Sequence, residues 1–391
     1  MDRRTFFVTG GGMLFAQASP AKQIRAGIIG SGGRGRYLEG LFKRDPGVRL
    51  AAVCDVYEPN LEAGLSAAGN QAKAYRNYKA LLDDKSIDAV IIATPEHWHH
   101  RMLLDALAAG KDVYIEKPLC QTPEQGAELV RAAASSKSVV QVGMQRRSYE
   151  LFQRARDIKK SGALGNVRMV RSSWLNNNLR GSNQTPALKG PLDWEQWQGP
   201  APKRPLDADR FFDWRSYSDY SGGIVADQGA HVYDGIHLVM DCGFPVAVNA
   251  SAGRIHKPKV DTPESVIVAA EYAEDFVAIF TINYAAMHYQ TRNDQLNQFD
   301  GDQARMDLGR EKLAVYKEGA EDEPVLTGTG SFAQAAEDHV ANFLECVRTR
   351  ATPNATIEKA FQAALVVQLA NLSLRLGKRI KWNPALQRVE S

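Results

Sequence analysis

The sequence predicts an α/β protein: a doubly wound parallel sheet first, then an α/β domain built on a large open, mostly antiparallel sheet. Three observations predict it. Apolar strand-like runs alternate with helical patterns from Gln23 to Gly143, as in a parallel sheet covered by helices on both faces. A G-x-G-x-x-G turn, Gly30 to Gly35, joins the first strand to the first helix. Beyond Val246, strand patterns follow one another with few helical segments between them, which favours hairpin-connected antiparallel pairing.

Composition agrees with a folded, multidomain chain. Its 391 residues suffice for two or three domains of roughly 150 residues each. The expected division is a segment at 1–21, a first domain at 22–145 and a second at 146–391, with a long loop at 175–221. Lys plus Arg number 48 against 45 Asp plus Glu, leaving a net charge of +3. That balance excludes a strongly basic nucleic-acid surface. A hydrophobic share of 44% with 24% charged residues excludes disorder as the global state. No run of about 18 apolar residues is present, so no membrane-spanning helix is expected. The four cysteines, Cys54, Cys120, Cys242 and Cys346, lack the pairing of a metal site. They read as mostly buried free thiols, with a disulfide left open should the chain be exported.

The first residues have the layout of an export signal. Arg3-Arg4 precede Phe6-Phe7, a mildly apolar stretch runs to Phe15, and Ala16-Gln17-Ala18 forms an A-x-A cleavage pattern. That order is expected of a twin-arginine signal. It implies the twin-arginine export machinery as a partner and a periplasmic or otherwise exported location; without the signal the chain would be cytoplasmic.

Strand Gln23–Ile29 then runs into the glycine turn. Gly30 permits the tight turn, Gly32 lets backbone approach a pyrophosphate, and Gly35 lets helix and strand pack closely. The helix start offers free N–H groups to phosphates. A second strand, Val48 to Cys54, ends at Asp55, 20 residues past Gly35. A carboxylate there accepts hydrogen bonds from ribose hydroxyls and repels a 2′-phosphate. The reading is a Rossmann-type domain binding NAD; neighbours such as Tyr57 leave NADP open. Strands at Asp88–Ala93, Asp112–Ile115 and Val139–Gly143 alternate with helices near His97–Ala109 and Pro123–Ala134. Ligands sit at the carboxyl ends of such strands. Thr94, Pro95, Glu96 and His97 follow one such end, Glu116, Lys117 and Pro118 the next, and Gln145 the last. Thr94, Pro95, His97, Glu116, Lys117 and Gln145, with Gly33 and Arg34, complete the expected cofactor set. Lys117, facing the crevice, suits proton transfer or polarisation of a substrate oxygen.

The second half opens with a helix near Ser148–Lys160 and a strand at Val167–Leu175. The irregular stretch that follows is rich in proline and aromatics, among them Trp194, Trp197, Trp214, Tyr217 and Tyr220, with Trp174 just before. Such a stretch is either a sugar-stacking lid or a strap packed over a sheet. A helix from Ile224 to Met240 carries Asp227 and His231, which share one face at i and i+4. A carboxylate beside an imidazole can fix its tautomer and raise its basicity, as a general base requires. The spacing also fits zinc, but no third ligand is evident, and no metal is expected. Strands at Val246–Gly253, Ser265–Tyr272, Phe276–Tyr284 and Gln295–Gln303 follow. Two helices, Ala333–Arg348 and Ile357–Leu376, close the chain, with a short strand at Arg379–Trp382. A sheet face left bare of helices needs a partner, so a homodimer or homotetramer is expected.

The run Gly30–Gly35, Ala93-Thr94-Pro95 with His97, Glu116-Lys117-Pro118 and Asp227…His231 resembles the Gfo/Idh/MocA oxidoreductases over nearly the whole mature chain. The resemblance implies oxidation of a ring hydroxyl of a sugar, glycoside or cyclitol, or the reverse. It implies a catalytic group of Lys117, Asp227 and His231. His231 would take the hydroxyl proton, Lys117 would polarise the oxygen and Asp227 would orient the site. Arg146, Trp174, Trp214 and Tyr217 are the further candidates for substrate contact. The export signal and the Trp-rich loop depart from the commonest members. Because free NAD is scarce outside the cytoplasm, a tightly held cofactor is expected. Two other functions fit the same residues: an NAD-dependent redox-neutral glycosidase, and a non-catalytic dinucleotide- or sugar-binding protein.

Overall fold

A computed structural model describes residues 23–69, 71–176, 185–286, 295–320 and 322–390. The segment read as an export signal lies outside the described residues. The first sheet is built from β1 (Ile24–Ile29), β2 (Val48–Cys54), β3 (Lys73–Tyr75), β4 (Ala89–Ile92), β5 (Asp112–Ile115) and β6 (Val140–Val142). Between them run α1 (Gly33–Phe42), α2 (Glu58–Ala68), α3 (Tyr78–Asp83), α4 (His99–Ala108) and α5 (Pro123–Ala134). Strand order is β3-β2-β1-β4-β5-β6, and every pairing is parallel. Every residue of β4 and β5 is buried, because helices cover both faces. The order reverses between β1 and β4, which opens a crevice at their carboxyl ends.

After α6 (Glu150–Lys160) and β7 (Val167–Leu175) come two short helices, α7 (Trp194–Gln198) and α8 (Ala208–Phe212), then α9 (Gly223–Met240). The sheet continues as β8 (Pro245–Ala252), β9 (Ser265–Tyr272), β10 (Phe276–Asn283), β11 (Gln295–Gly301), β12 (Ala304–Gly309), β13 (Lys312–Lys317) and β14 (Leu326–Thr329). Helices α10 (Phe332–Thr349) and α11 (Ile357–Leu376) precede β15 (Ile380–Asn383) and β16 (Arg388–Glu390). The ten strands order as β14-β13-β12-β11-β7-β10-β9-β8-β15-β16. Only β7 against β10 is parallel. The expected fold class, a parallel sheet followed by a mostly antiparallel one, is therefore present.

One face of the second sheet is packed. On β10, Phe276, Ala278, Phe280 and Ile282 alternate inward, and the Tyr233 ring of α9 meets Phe280 edge-on at 6.1 Å. Helix α11 lies against α9, and Ala363, Ala364, Val366 and Val367 are fully buried there. Helix α10 instead serves the first sheet. Its Phe343 packs on Phe42 and Tyr114, with centroids at 6.0 and 5.8 Å.

Two features differ from the sequence reading, and the cysteines agree with it. The strand expected to reach Gln303 ends at Gly301 and turns into β12, and β13 and β14 extend the sheet further. Their alternating inward residues (Ala304, Met306, Leu308, then Leu313, Val315) are buried, but each run is too short and charge-interrupted to stand out. The helix expected from His97 starts as a 3₁₀ turn, Glu96–Trp98, closed by the Trp98 N–H on the Pro95 carbonyl at 3.1 Å, before α4. The four cysteines are free thiols; Cys242 is half-buried and the others buried. Among the described residues no helix is long and apolar enough to cross a membrane.

Candidate active site

The glycine turn is shaped by close contacts. Gly30 has φ +88°, and a Cβ there would stand 2.9 Å from the Ala93 carbonyl. A Cβ on Gly35 would lie 2.1 Å from the Gly30 carbonyl oxygen, so α1 can approach β1 only with glycine here. Asp55 locks the turn from β2: its carboxylate accepts from the Ser31 N–H at 2.8 Å and the Tyr57 N–H at 2.9 Å. Burial pushes its carboxyl up, and those backbone donors pull the other way.

The turn opens onto a cavity of about 510 Å³. Of the expected cofactor residues, Gly30, Gly32, Gly33, Arg34, Asp55, Thr94, Pro95, Glu116, Lys117 and Gln145 line it. Arg34 Nε donates to Glu116 Oε1 at 2.7 Å across this wall. Gly35 lies behind the turn, where it permits packing. The glycine cradle would hold a dinucleotide's pyrophosphate and the Asp55 carboxylate its ribose.

His97 is a correction. Its ring is buried and turned away from the cavity; Nε2 stands 3.0 Å from the Trp197 carbonyl oxygen, with Trp197 and Tyr220 rings beside it. Trp98 Nε1 donates to the same carbonyl at 2.9 Å. These bonds fasten the described part of the aromatic loop to the first domain. So do Asp193 N–H to the Val56 carbonyl and Glu58 N–H to the Pro191 carbonyl, both at 2.9 Å. That described part is a packed strap whose inner edge (Gln196, Trp197, Phe211, Phe212, Trp214, Arg215) also walls the cavity.

At the far wall the two domains meet. Lys117 Nζ donates to Asp227 Oδ1 and to the Asp227 carbonyl, both at 2.7 Å. Burial alone would raise the Asp227 carboxyl, but Lys117 and Arg215, whose Nε lies 3.4 Å from Oδ1, hold it well below the usual range. Gln228 Nε2 donates to Asp227 Oδ2 at 2.9 Å. Burial, then the charges of Lys117 and Arg146, push the His231 imidazole well below its ordinary value, so it is neutral at pH 7. The expected support of His231 by Asp227 is corrected: the carboxylate faces Lys117, the nearest full positive charge. No described residue hydrogen-bonds the His231 ring, which lines the cavity.

Of the other substrate candidates, Trp214 lines the cavity. Arg146, Trp174 and Tyr217 do not. Arg146 is buried behind His231, donating to the His231 carbonyl at 3.1 Å and to Gln295 Oε1 at 3.0 Å, with its guanidinium over the Trp174 ring at 5.6 Å. Tyr217 packs under Arg210 within the strap. Sequence reasoning missed Gln228 and Arg215 as lining residues; Glu96, noted at the end of β4 but given no role, lines the cavity as well. Among the described residues no three His, Cys, Asp or Glu side chains gather as a metal site.

Fold and site together join a Rossmann-type dinucleotide-binding sheet to a second, mostly antiparallel sheet across one cavity. The chain belongs to the GFO/IDH/MocA oxidoreductase family: residues 24–144 match its NAD-binding Rossmann fold and residues 171–391 its C-terminal alpha/beta domain. An inositol 2-dehydrogenase of Salmonella typhimurium is 32% identical over 165 residues, 42% of this chain and 49% of that protein. A glycosyl hydrolase family 109 protein of Shewanella sp. (strain ANA-3) is 35% identical over 119 residues, 28% of this chain and 26% of that one. The chain thus spans about half the length, or less, of these curated relatives. A levoglucosan dehydrogenase solved with NADH and levoglucosan has the same fold, with TM-score 0.73 and 19% identity over 92% of this chain and 99% of that one.

Proposed function

We propose that the protein is an NAD-dependent dehydrogenase acting on a ring hydroxyl of a sugar, glycoside or cyclitol, or on the corresponding ketone in reverse. One observation carries this reading: Lys117, Asp227 and a neutral His231 converge on the cavity that the glycine turn and Asp55 open. Bound NAD supplies the hydride acceptor. Neutral His231 accepts the hydroxyl proton, and its ring is free to do so. Lys117 polarises the reacting oxygen, with Asp227 fixing its ammonium. The strap excludes water from the same cavity and offers Trp214 to a sugar face. The relatives that act on inositol and levoglucosan support a polyhydroxylated ring as substrate.

The test is proton NMR in D₂O of the protein with NAD and a panel of free sugars, cyclitols and glycosides. A new keto-ring spectrum supports the dehydrogenase. No turnover across the panel counts against it and returns weight to a binding protein. A second reading, the redox-neutral glycosidase, is supported by the stretch shared with the glycosyl hydrolase family 109 relative; released sugar without net NAD reduction would establish it.

Three further expectations belong to this proposal. Arg3-Arg4 would direct twin-arginine export; an R3K/R4K variant that still reaches the periplasm would dismiss it. The strap would hold NAD tightly, and purified protein free of nucleotide would refute that. The open face of the second sheet, which exposes Met169 and Ile267, would join copies into a dimer or tetramer; light scattering showing a monomer would refute it.

A further inference from the structure

We propose that Glu96 is a positioning residue: its carboxylate, supplied by the cofactor-binding domain, caps the N-terminus of α9 and so sets where Asp227 and His231 stand against Lys117. The catalytic consequence rests on the dehydrogenase reading; the cap rests on geometry alone.

Helix α9 begins without a cap of its own. Its N-cap residue, Gly222, has no side chain, and its first turn holds no acidic residue. The first N–H groups of any helix lack intrahelical acceptors, and a negative charge is favourable beside them. Ser221 Oγ accepts from the Gly223 N–H at 3.0 Å. Glu96 adds a second acceptor from 126 residues away: Oε2 accepts from the Gly222 N–H and Oε1 from the Ser221 hydroxyl, both at 2.9 Å.

The joint has little slack. A Cβ on Gly222 would lie 2.5 Å from the Ala226 Cβ, and Gly223 sits at φ +68° against Thr262. Asn371 Nδ2 donates to the Gly222 carbonyl at 3.0 Å. One turn further on, Lys117 grips both the carbonyl and the carboxylate of Asp227. The start of α9 is therefore held at two points on the carboxyl edge of the first sheet, Glu96 after β4 and Lys117 after β5.

Glu96 is only 2% exposed yet borders the cavity. The charges bearing on it are Asp227 of α9 and Lys117 after β5. His97 and His99 flank it in the chain, both driven towards neutrality by burial. Arg34, Glu116, Arg215 and His231 line the same cavity. Burial pushes Glu96 up to about 7, opposed by the Gly222 N–H and aided by the charge of Asp227. Protonation thus weakens the cap within the working pH range.

The experiment is hydrogen exchange by mass spectrometry on residues 221–227, corrected for intrinsic rates, in the full chain and in E96Q, which copies the protonated form. A charge-assisted hydrogen bond exceeds a neutral one by enough to change exchange about tenfold. At pH 8.5, E96Q should exchange this segment about tenfold faster than the native protein, and the native protein should approach it as pH falls through 7. Equal exchange at pH 8.5 overturns the proposal. If E96Q does not fold, E96D, whose carboxylate is one methylene too short to reach the Gly222 N–H, is read the same way: faster exchange supports the cap and unchanged exchange overturns it. Neither reading needs a substrate, so a chain inactive on every sugar would refute the dehydrogenase and still test the cap. With activity in hand, E96Q should lower kcat about tenfold at pH 8.5, remove an acid limb near pH 7 and leave NADH affinity within about threefold; an unaltered pH profile overturns the positioning role.

Discussion

Asp227→Asn removes the carboxylate from the Lys117 pair while keeping shape and volume. Both side chains are largely buried, at 12% and 13% exposure, with Nζ 2.7 Å from Oδ1. Removing one partner of a buried pair costs about 3–5 kcal/mol, because the other charge is left uncompensated. Here Lys117 keeps its bond to the Asp227 carbonyl at 2.7 Å, so the lower end applies: about 3 kcal/mol. Urea unfolding at pH 7.5 measures it as a midpoint shift at constant slope. The pH dependence has a definite sign. The Asp227 carboxyl is depressed in the folded chain, so its contribution is complete above about pH 4 and fades as pH falls through the folded value. The gap between D227N and the native protein should close in strong acid. The double variant K117M/D227L removes both charges and should regain most of the stability while remaining inactive. A D227N loss below about 1 kcal/mol at pH 7.5 would refute the pairing as a buried, tightly coupled contact.

Three other outcomes are expected. H231N should lower kcat by about 10²–10⁴, the contribution of a positioned general base, and evenly from pH 6.5 to 8, because the imidazole is already neutral there; a loss of only a few-fold, by stopped-flow NADH formation, would move the base elsewhere. D55N should weaken NADH binding about tenfold by fluorescence titration and narrow its preference over NADPH, since the ribose-facing carboxylate also pins the glycine turn at Ser31. W197A should cost about 3–5 kcal/mol by thermal unfolding and speed cofactor release, because the Trp197 ring stacks on Trp194 at 4.7 Å and packs against Tyr220 at 4.7 Å and His97 at 5.4 Å; unchanged release would leave the strap without a role in retention.

What the sequence determined by itself is local. Gly30 to Gly35 announces its turn because only glycine tolerates φ +88° at the first position and a 2.1 Å approach at the last. Asp55 and Lys117 are found because each ends a strand, and strand ends in a parallel sheet share one edge. Asp227 and His231 are placed on one face by helical spacing alone. The tertiary structure decided which of these groups meet. It turned Asp227 to Lys117 rather than His231, turned His97 outward to the strap, and buried Arg146, Trp174 and Tyr217 behind the cavity. It brought Glu96 to the bare end of α9, and α10 back to the first sheet. A periodicity records which side of an element is buried. It does not record which of several charges comes nearest, because that distance is set by how the two sheets dock, and each such contact spans about a hundred residues or more of chain.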